Sequence, residues 1–149
     1  MTFDEYKKTR EGKRIDYDKA FAYQCVDLAR HFADLVHGHK INTFSWSAIR
    51  WRQTWSPFKG KPYARVEYLR GRIPNRGDIV FFSATKENEY WHVAIAGTSE
   101  KDTLRVIEQN AGTGNGSGLW GDAITVRNYP YIKAKVGNVL GRYTPLYLV

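Results

Sequence analysis

A thiol, an imidazole, a carboxylate and a carboxamide occur in that order along the chain, at Cys25, His92, Glu108 and Asn110. A thiol becomes a strong nucleophile as its thiolate, and the partial positive charge of a helix N-terminus favours that form. A neighbouring imidazole can take and return the proton, and a third polar group can hold the ring in the right orientation. Each residue alone has an ordinary explanation. A lone cysteine is commonly a small buried hydrophobe, a histidine on a strand is commonly structural, and Glu-x-Asn at a strand end is a common turn device. Together they describe the parts needed for catalysis by a thiol nucleophile, with Cys25 attacking and His92 as its base.

Two further features surround the cysteine. Gln24, immediately before it, could help the Cys25 backbone N–H hold an oxyanion, or could make a simple helix-start hydrogen bond. Asp16, Asp18 and Asp27 place three carboxylates close to the same helix start. They can act as caps and Asx turns, or they can surround a hard cation such as calcium, which takes six to eight oxygen ligands.

The elements that must position these groups follow from periodicity. Cys25, Val26, Ala29, Phe32, Ala33 and Val36 recur at helical spacing, which predicts a helix opening at Cys25 and stopping at Gly38. Short β-type runs follow at 79–83, 91–97, 103–109, 123–127 and 141–149, with turn chemistry at Pro74-Asn75-Arg76-Gly77-Asp78. Helices first and strands second predict an α+β domain with an antiparallel sheet. Residues 1–20 read as a polar, charged segment, and 41–70 as an ambiguous mixture of helix and loop.

Alternation puts His92, Ala94 and Ala96 on one face of their strand and Val93 and Ile95 on the other. The two alanines leave room for a helix to approach the histidine face. Glu108 and Asn110 share a face, roughly 7 Å apart, if their strand extends that far. Trp46, Trp51 and Trp55 read mainly as core, Trp91 as packing, and Trp120 as a rim residue after the glycine-rich 112–118 loop. His31, His37 and His39 lack convergent partners and read as surface or helix-end residues.

A chain of 149 residues suits one domain, taken as 1–149. Its single cysteine excludes an internal disulfide. With 23 Lys and Arg against 15 Asp and Glu, the formal charge is +8, which calls for an anionic partner. The charges form no dense run, and no nucleic-acid-binding signature is present, so no specific nucleic-acid partner is expected. No apolar run is long enough to span a bilayer, and residues 1–13 lack the apolar stretch of a signal peptide. A cytoplasmic origin is therefore expected.

Four stretches resemble one family. Gln24-Cys25-Val26-Asp27, the 74–82 run Pro-Asn-Arg-Gly-Asp-Ile-Val-Phe-Phe, His92-Val93-Ala94-Ile95 and Glu108-Gln109-Asn110 look like the CHAP domain, the cysteine- and histidine-dependent amidohydrolase/peptidase. The resemblance runs from about Asp16 to the C-terminus. It implies a papain-like α+β fold, with N-terminal helices packed on an antiparallel sheet, and cleavage of amide bonds in bacterial peptidoglycan. By motif, Cys25 is the nucleophile, His92 the base, Glu108 its orienter and Asn110 a fourth polar member. The acidic spacing resembles calcium-binding members from phage endolysins, which implies ligands from Asp16, Asp18 and Asp27 and the backbone carbonyls of Ala20 and Ala22.

The expected protein is a monomeric phage endolysin, either endopeptidase or N-acetylmuramoyl-L-alanine amidase. It would be held in the host cytoplasm until lysis and drawn to peptidoglycan and anionic wall polymers. A bacterial autolysin, a non-catalytic wall-binding module on the same fold, and a basic nucleic-acid-binding protein are the alternatives.

Overall fold

The computed structural model describes residues 1–20, 23–41, 63–66, 74–82, 92–100, 103–110, 122–130 and 139–145. Helix α1, Phe3–Arg10, begins in a capping box. Glu5 N–H donates to Thr2 Oγ1 at 3.2 Å, and Thr2 N–H donates to the Glu5 carboxylate at 2.7 Å. Acidic residues in its first turn and basic residues in its last complement the helix dipole. Phe3 and Tyr6 set their rings edge-on against Phe32, at 5.9 and 5.0 Å between centroids. The segment predicted to be merely polar is therefore a helix anchored by two aromatics.

Helix α2, Cys25–Phe32, opens at the predicted residue, with Gln24 extended at its N-cap. Asp27, in its first turn, accepts from Gln24 N–H at 2.9 Å, a favourable place for a carboxylate at a helix start. A single π turn, Ala33–His37, continues the helix to Gly38, whose φ of 73° closes it. That left-handed conformation is one glycine adopts without strain.

Among the described residues the strands are β1 Tyr63–Val66, β2 Ile79–Phe82, β3 His92–Ala96, β4 Thr103–Glu108, β5 Thr125–Pro130 and β6 Val139–Pro145. They form one antiparallel sheet in the order β1-β6-β2-β3-β4-β5. The fold is thus α+β, as the sequence predicts. β1 falls in the stretch read as ambiguous, and β5 runs past its predicted end to Pro130. The four strands β2 to β5 form a meander. In register, Phe82 lies opposite His92, Ile95 opposite Ile107, and Glu108 opposite Thr125.

Alternation along these strands creates two cores. One joins α1 and α2 to the sheet through Tyr6, Leu28, Ala29, Phe32, Phe81 and Val93, with Ile95 and Ile107 beside them. Each fully buried large side chain here contributes about 1.5–3 kcal/mol. The other core, on the opposite face, gathers Val80, Phe82, Ala94, Ala96, Leu104, Val106 and Tyr129. Helix α2 therefore covers the Val93 and Ile95 face and not the alanine face, contrary to the sequence expectation. The branched side chains supply the larger apolar area, and the alanines make room for Phe82 and Leu104.

Candidate active site

His92 is the first residue of β3, Phe82 the last of β2 and Glu108 the last of β4. The antiparallel register brings these three strand ends to one end of the sheet. There His92 Nε2 bonds the Glu108 carboxylate at 3.0 Å, and both side chains are buried. The other carboxylate oxygen accepts from the Tyr129 hydroxyl at 2.6 Å. Arg127 Nε stands 3.6 Å from that same oxygen. Phe82 flanks the imidazole with ring centroids 5.8 Å apart.

Cys25, the first residue of α2, meets His92 at this end of the sheet. Burial opposes charge on the imidazole, but hydrogen bonding to Cys25 and to Glu108, and the charges of both, raise its pKa well above the ordinary value. His92 Nδ1 is buried and has no well-formed hydrogen bond among the described residues, so it is the ring nitrogen left to exchange a proton. Cys25 retains 9% exposure. The predicted thiol, imidazole and carboxylate are thus brought together.

Asn110 has a different place. β4 ends at Glu108, and Asn110 adopts a left-handed φ of 57°. Its amide donates to Gln24 Oε1 at 3.2 Å, and its backbone N–H donates to Asp122 O at 3.1 Å. It supports the residue before the nucleophile. Gln109, Tyr129 and Arg127 were not singled out from sequence. The Gln109 amide, fully buried, bonds the backbone of Ile15 and Gln24. Gln109 lies inside the Glu108-Gln109-Asn110 motif, which was the available signal. Tyr129 and Arg127 alternate on β5, but nothing local marks Glu108 as their partner.

The three predicted aspartates also converge. One carboxylate oxygen from each of Asp16, Asp18 and Asp27 lies within 4.8 Å of the others. Asp16 Oδ1 is buried without a hydrogen-bond partner among the described residues. Burial pushes the Asp27 carboxyl up to about 7, with Asp18 and Asp16 adding to the rise and backbone hydrogen bonds from Gln24 and Tyr17 opposing it. Arg30 supplies one positive charge, at 2.6 Å from Asp18 Oδ2. The donor set is all oxygen, and the unpartnered Asp16 oxygen fits a hard cation. Ala20 N–H donates to Asp18 Oδ1 at 3.0 Å. Ala22 lies outside the described residues, as do Trp46, Trp51, Trp55, Trp91, Trp120 and the 112–118 loop.

His31 and His37 have hydrogen-bond partners that their sequence positions did not reveal. His31 Nδ1 meets the Tyr6 hydroxyl at 2.9 Å. His37 is a helix-end residue but is buried, with its ring nitrogens bonded to Tyr63 Oη at 2.7 Å and Gly77 O at 3.0 Å. A cleft of about 220 Å³ between α1 and the far end of the sheet is lined by Asp4, Lys7, Arg76 and Arg105 and holds none of the catalytic candidates. Among the described residues no helix is long and apolar enough to cross a membrane.

A buried imidazole and carboxylate thus stand at one end of the sheet of an α+β domain, beside a thiol that opens a helix. Residues 16–110 match the CHAP domain, and the chain belongs to that family. It is 27% identical over 135 residues to endolysin PlyTW of Staphylococcus phage Twort, covering 86% of this chain and 27% of the relative. The chain thus spans about a quarter of that relative's length. The crystal structure of the wild-type endolysin LysIME-EF1 superposes with a TM-score of 0.68 at 20% identity, over 95% of this chain and 61% of the other. That likeness is one of fold.

Proposed function

We propose that this chain is a peptidoglycan hydrolase of the phage endolysin type, cleaving wall amide bonds by cysteine nucleophilic catalysis. The observation that carries the reading is the buried His92, held by Glu108 on one ring nitrogen and meeting Cys25 at the start of α2. Family membership and the similarity to a phage endolysin support the substrate class.

In the proposed reaction, His92 takes the Cys25 thiol proton, the thiolate Sγ attacks the amide carbonyl carbon, and the oxyanion forms beside the N-terminus of α2. The backbone N–H of Cys25 would be a donor for it, with Gln24 as the candidate second donor. The C–N bond then breaks as His92 gives its proton to the departing amine. The acyl group remains on sulfur as a thioester. His92 next takes a proton from water, hydroxide adds to the thioester carbon, and loss of sulfur releases the carboxylic acid. Glu108 keeps the ring oriented and stabilises its protonated form.

Asp16, Asp18 and Asp27, with the Ala20 and Ala22 carbonyls, would hold a calcium ion. Bound there, calcium supplies positive charge that joins the carboxylates and fixes the segment leading to Cys25; it takes no part in bond cleavage. The net charge of +8 suits the anionic polymers of a bacterial wall. Similarity to an endolysin supports synthesis in the infected cell and release to the wall at lysis.

The decisive experiment incubates wild type and Cys25→Ala with purified peptidoglycan and identifies the new termini by mass spectrometry. A new amine paired with a free carboxyl on the stem or cross-bridge identifies an endopeptidase. Release of intact stem peptide from the sugar identifies an amidase. Cleavage by Cys25→Ala at the wild-type rate would overturn the mechanism.

A further inference from the structure

Gln109 has no solvent exposure and spends its whole amide on main-chain atoms. Its Oε1 accepts from Ile15 N–H at 2.8 Å. Its Nε2 donates to Ile15 O and to Gln24 O, each at 2.8 Å. Both amide protons and one acceptor site are used. The Gln24 carbonyl also receives Asp27 N–H at 3.1 Å, which is the first turn of α2. Gln109 therefore grips the carbonyl from which the helix carrying Cys25 departs, together with the backbone just before Asp16.

The neighbours of Gln109 complete the pattern. Successive residues of a strand point to opposite faces. Glu108 points toward the face of Leu104 and Val106 and holds His92 there. Gln109 points the other way, toward the face that α2 covers. Asn110 leaves the strand with φ 57° and turns its amide to the Gln24 side chain at 3.2 Å. Three consecutive residues thus fix both partners of the thiol–imidazole pair, one from each side of the sheet.

We propose that Gln109 is a positioning residue that sets the Cys25–His92 geometry by clamping the Gln24 and Ile15 backbone to the end of β4. This rests on the reading of Cys25 and His92 given above. The bonds run to main-chain atoms, so what they fix is the position of the helix start. The bonds themselves bring no titratable group to the catalytic pair and act through its spacing. Displacing reacting groups by about 1 Å can cost on the order of 100-fold in rate.

The test compares Gln109→Met, Gln109→Glu, Leu104→Ala and Cys25→Ala. It follows turnover of soluble peptidoglycan fragments, the rate of Cys25 alkylation by iodoacetamide across pH, and Tm. Methionine matches the length of glutamine but offers none of its three bonds. Glutamate keeps an acceptor for Ile15 N–H and loses the donors to both carbonyls at neutral pH, and it carries the test if the methionine variant does not fold. Leu104, buried on the other face, controls for lost stability alone.

The expected result for Gln109→Met is a kcat lower by roughly 10- to 100-fold, a KM within ~2-fold, and an altered alkylation profile. Leu104→Ala should lower Tm while leaving kcat and the alkylation profile near wild type. A Gln109 variant with wild-type kcat, or a Leu104→Ala variant with an equal loss of kcat, overturns the positioning role. An active Cys25→Ala overturns instead the assignment of the nucleophile.

Discussion

Replacing Glu108 by glutamine separates the orientation of His92 from its electrostatic support. The wild-type carboxylate takes His92 Nε2 on one oxygen and the Tyr129 hydroxyl on the other, at 3.0 and 2.6 Å. A glutamine can still turn its carbonyl to His92, and the tyrosine oxygen can accept from its amide. The ring stays oriented, but a charged acceptor becomes a neutral one. Hydrogen bonds to charged groups are worth about 1.5–3 kcal/mol, against about 0.5–1.5 for neutral pairs. The difference, about 1–1.5 kcal/mol, corresponds to about one pH unit at 1.36 kcal/mol per unit. Both the hydrogen bond and the charge of Glu108 raise the His92 pKa, so their weakening lowers it. The alkaline limb of kcat/KM, where His92 loses its proton, should therefore move about one unit toward lower pH, while neutral-pH turnover, with His92 still protonated, should change far less. His92→Ala removes the proton carrier itself and should cost on the order of 10²- to 10⁴-fold. The assay is the pH profile of fragment release for the three proteins. An alkaline limb that stays put or moves upward, or a glutamine variant worse than His92→Ala, would show that Glu108 does not act through His92.

Cys25→Ala should abolish lysis while keeping the wild-type circular dichroism, and iodoacetamide should inactivate the wild type with its mass added at Cys25. Chelation with EDTA should lower both activity and Tm, with calcium restoring both and magnesium, smaller and slow to shed its waters, restoring little; metal-free enzyme with unchanged Tm would leave the three aspartates as turn and cap residues. Tyr129→Phe removes the 2.6 Å donor to buried Glu108 and should cost about 1.5–3 kcal/mol in urea unfolding; an unchanged midpoint would refute the bond's contribution. Burial lowers the His37 pKa from 6.5 to about 4, partly offset by its bond to Gly77 O. The folded state then resists a proton that the unfolded state accepts. Stability is full above about pH 6.5 and falls as pH drops to about 4, by on the order of 3 kcal/mol. His37→Gln, compared with wild type across that window, should lack this component.

The parts of the site legible in sequence are those whose signal is local or carried by motif. Cys25 at a helix start, the Gly38 stop and the strands bearing His92 and Glu108 each follow from a short pattern. Alternation showed which side chains share a face of β3, but not which face a helix would cover. That choice depends on summed apolar area across several strands, and it favoured Val93 and Ile95. Helix α1 was missed because its apolar anchors among the described residues are just Phe3 and Tyr6, although Thr2-Phe3-Asp4-Glu5 carries a visible capping signal. Gln109 and Tyr129 were missed because their partners are distant in sequence, and Gln109 bonds main-chain atoms that carry no residue-type signal. The charge on Asp18 is met by Arg30, one helical element away, and spacing alone does not pair them.

The sheet order has a consequence for how the protein is made. β2 to β5 are neighbours in sequence as well as in space, so the strands carrying His92 and Glu108 can pair as they leave the ribosome. β1 cannot. Its partner in the sheet is β6, which also flanks β2, and β6 is translated only after all the others. Closing that long loop is slow compared with the meander. During synthesis β1 must wait with its hydrogen-bonding edge open, a state prone to pairing with other chains. Folding yield should therefore depend on protein concentration and temperature through β1 and β6, while the catalytic strands assemble early.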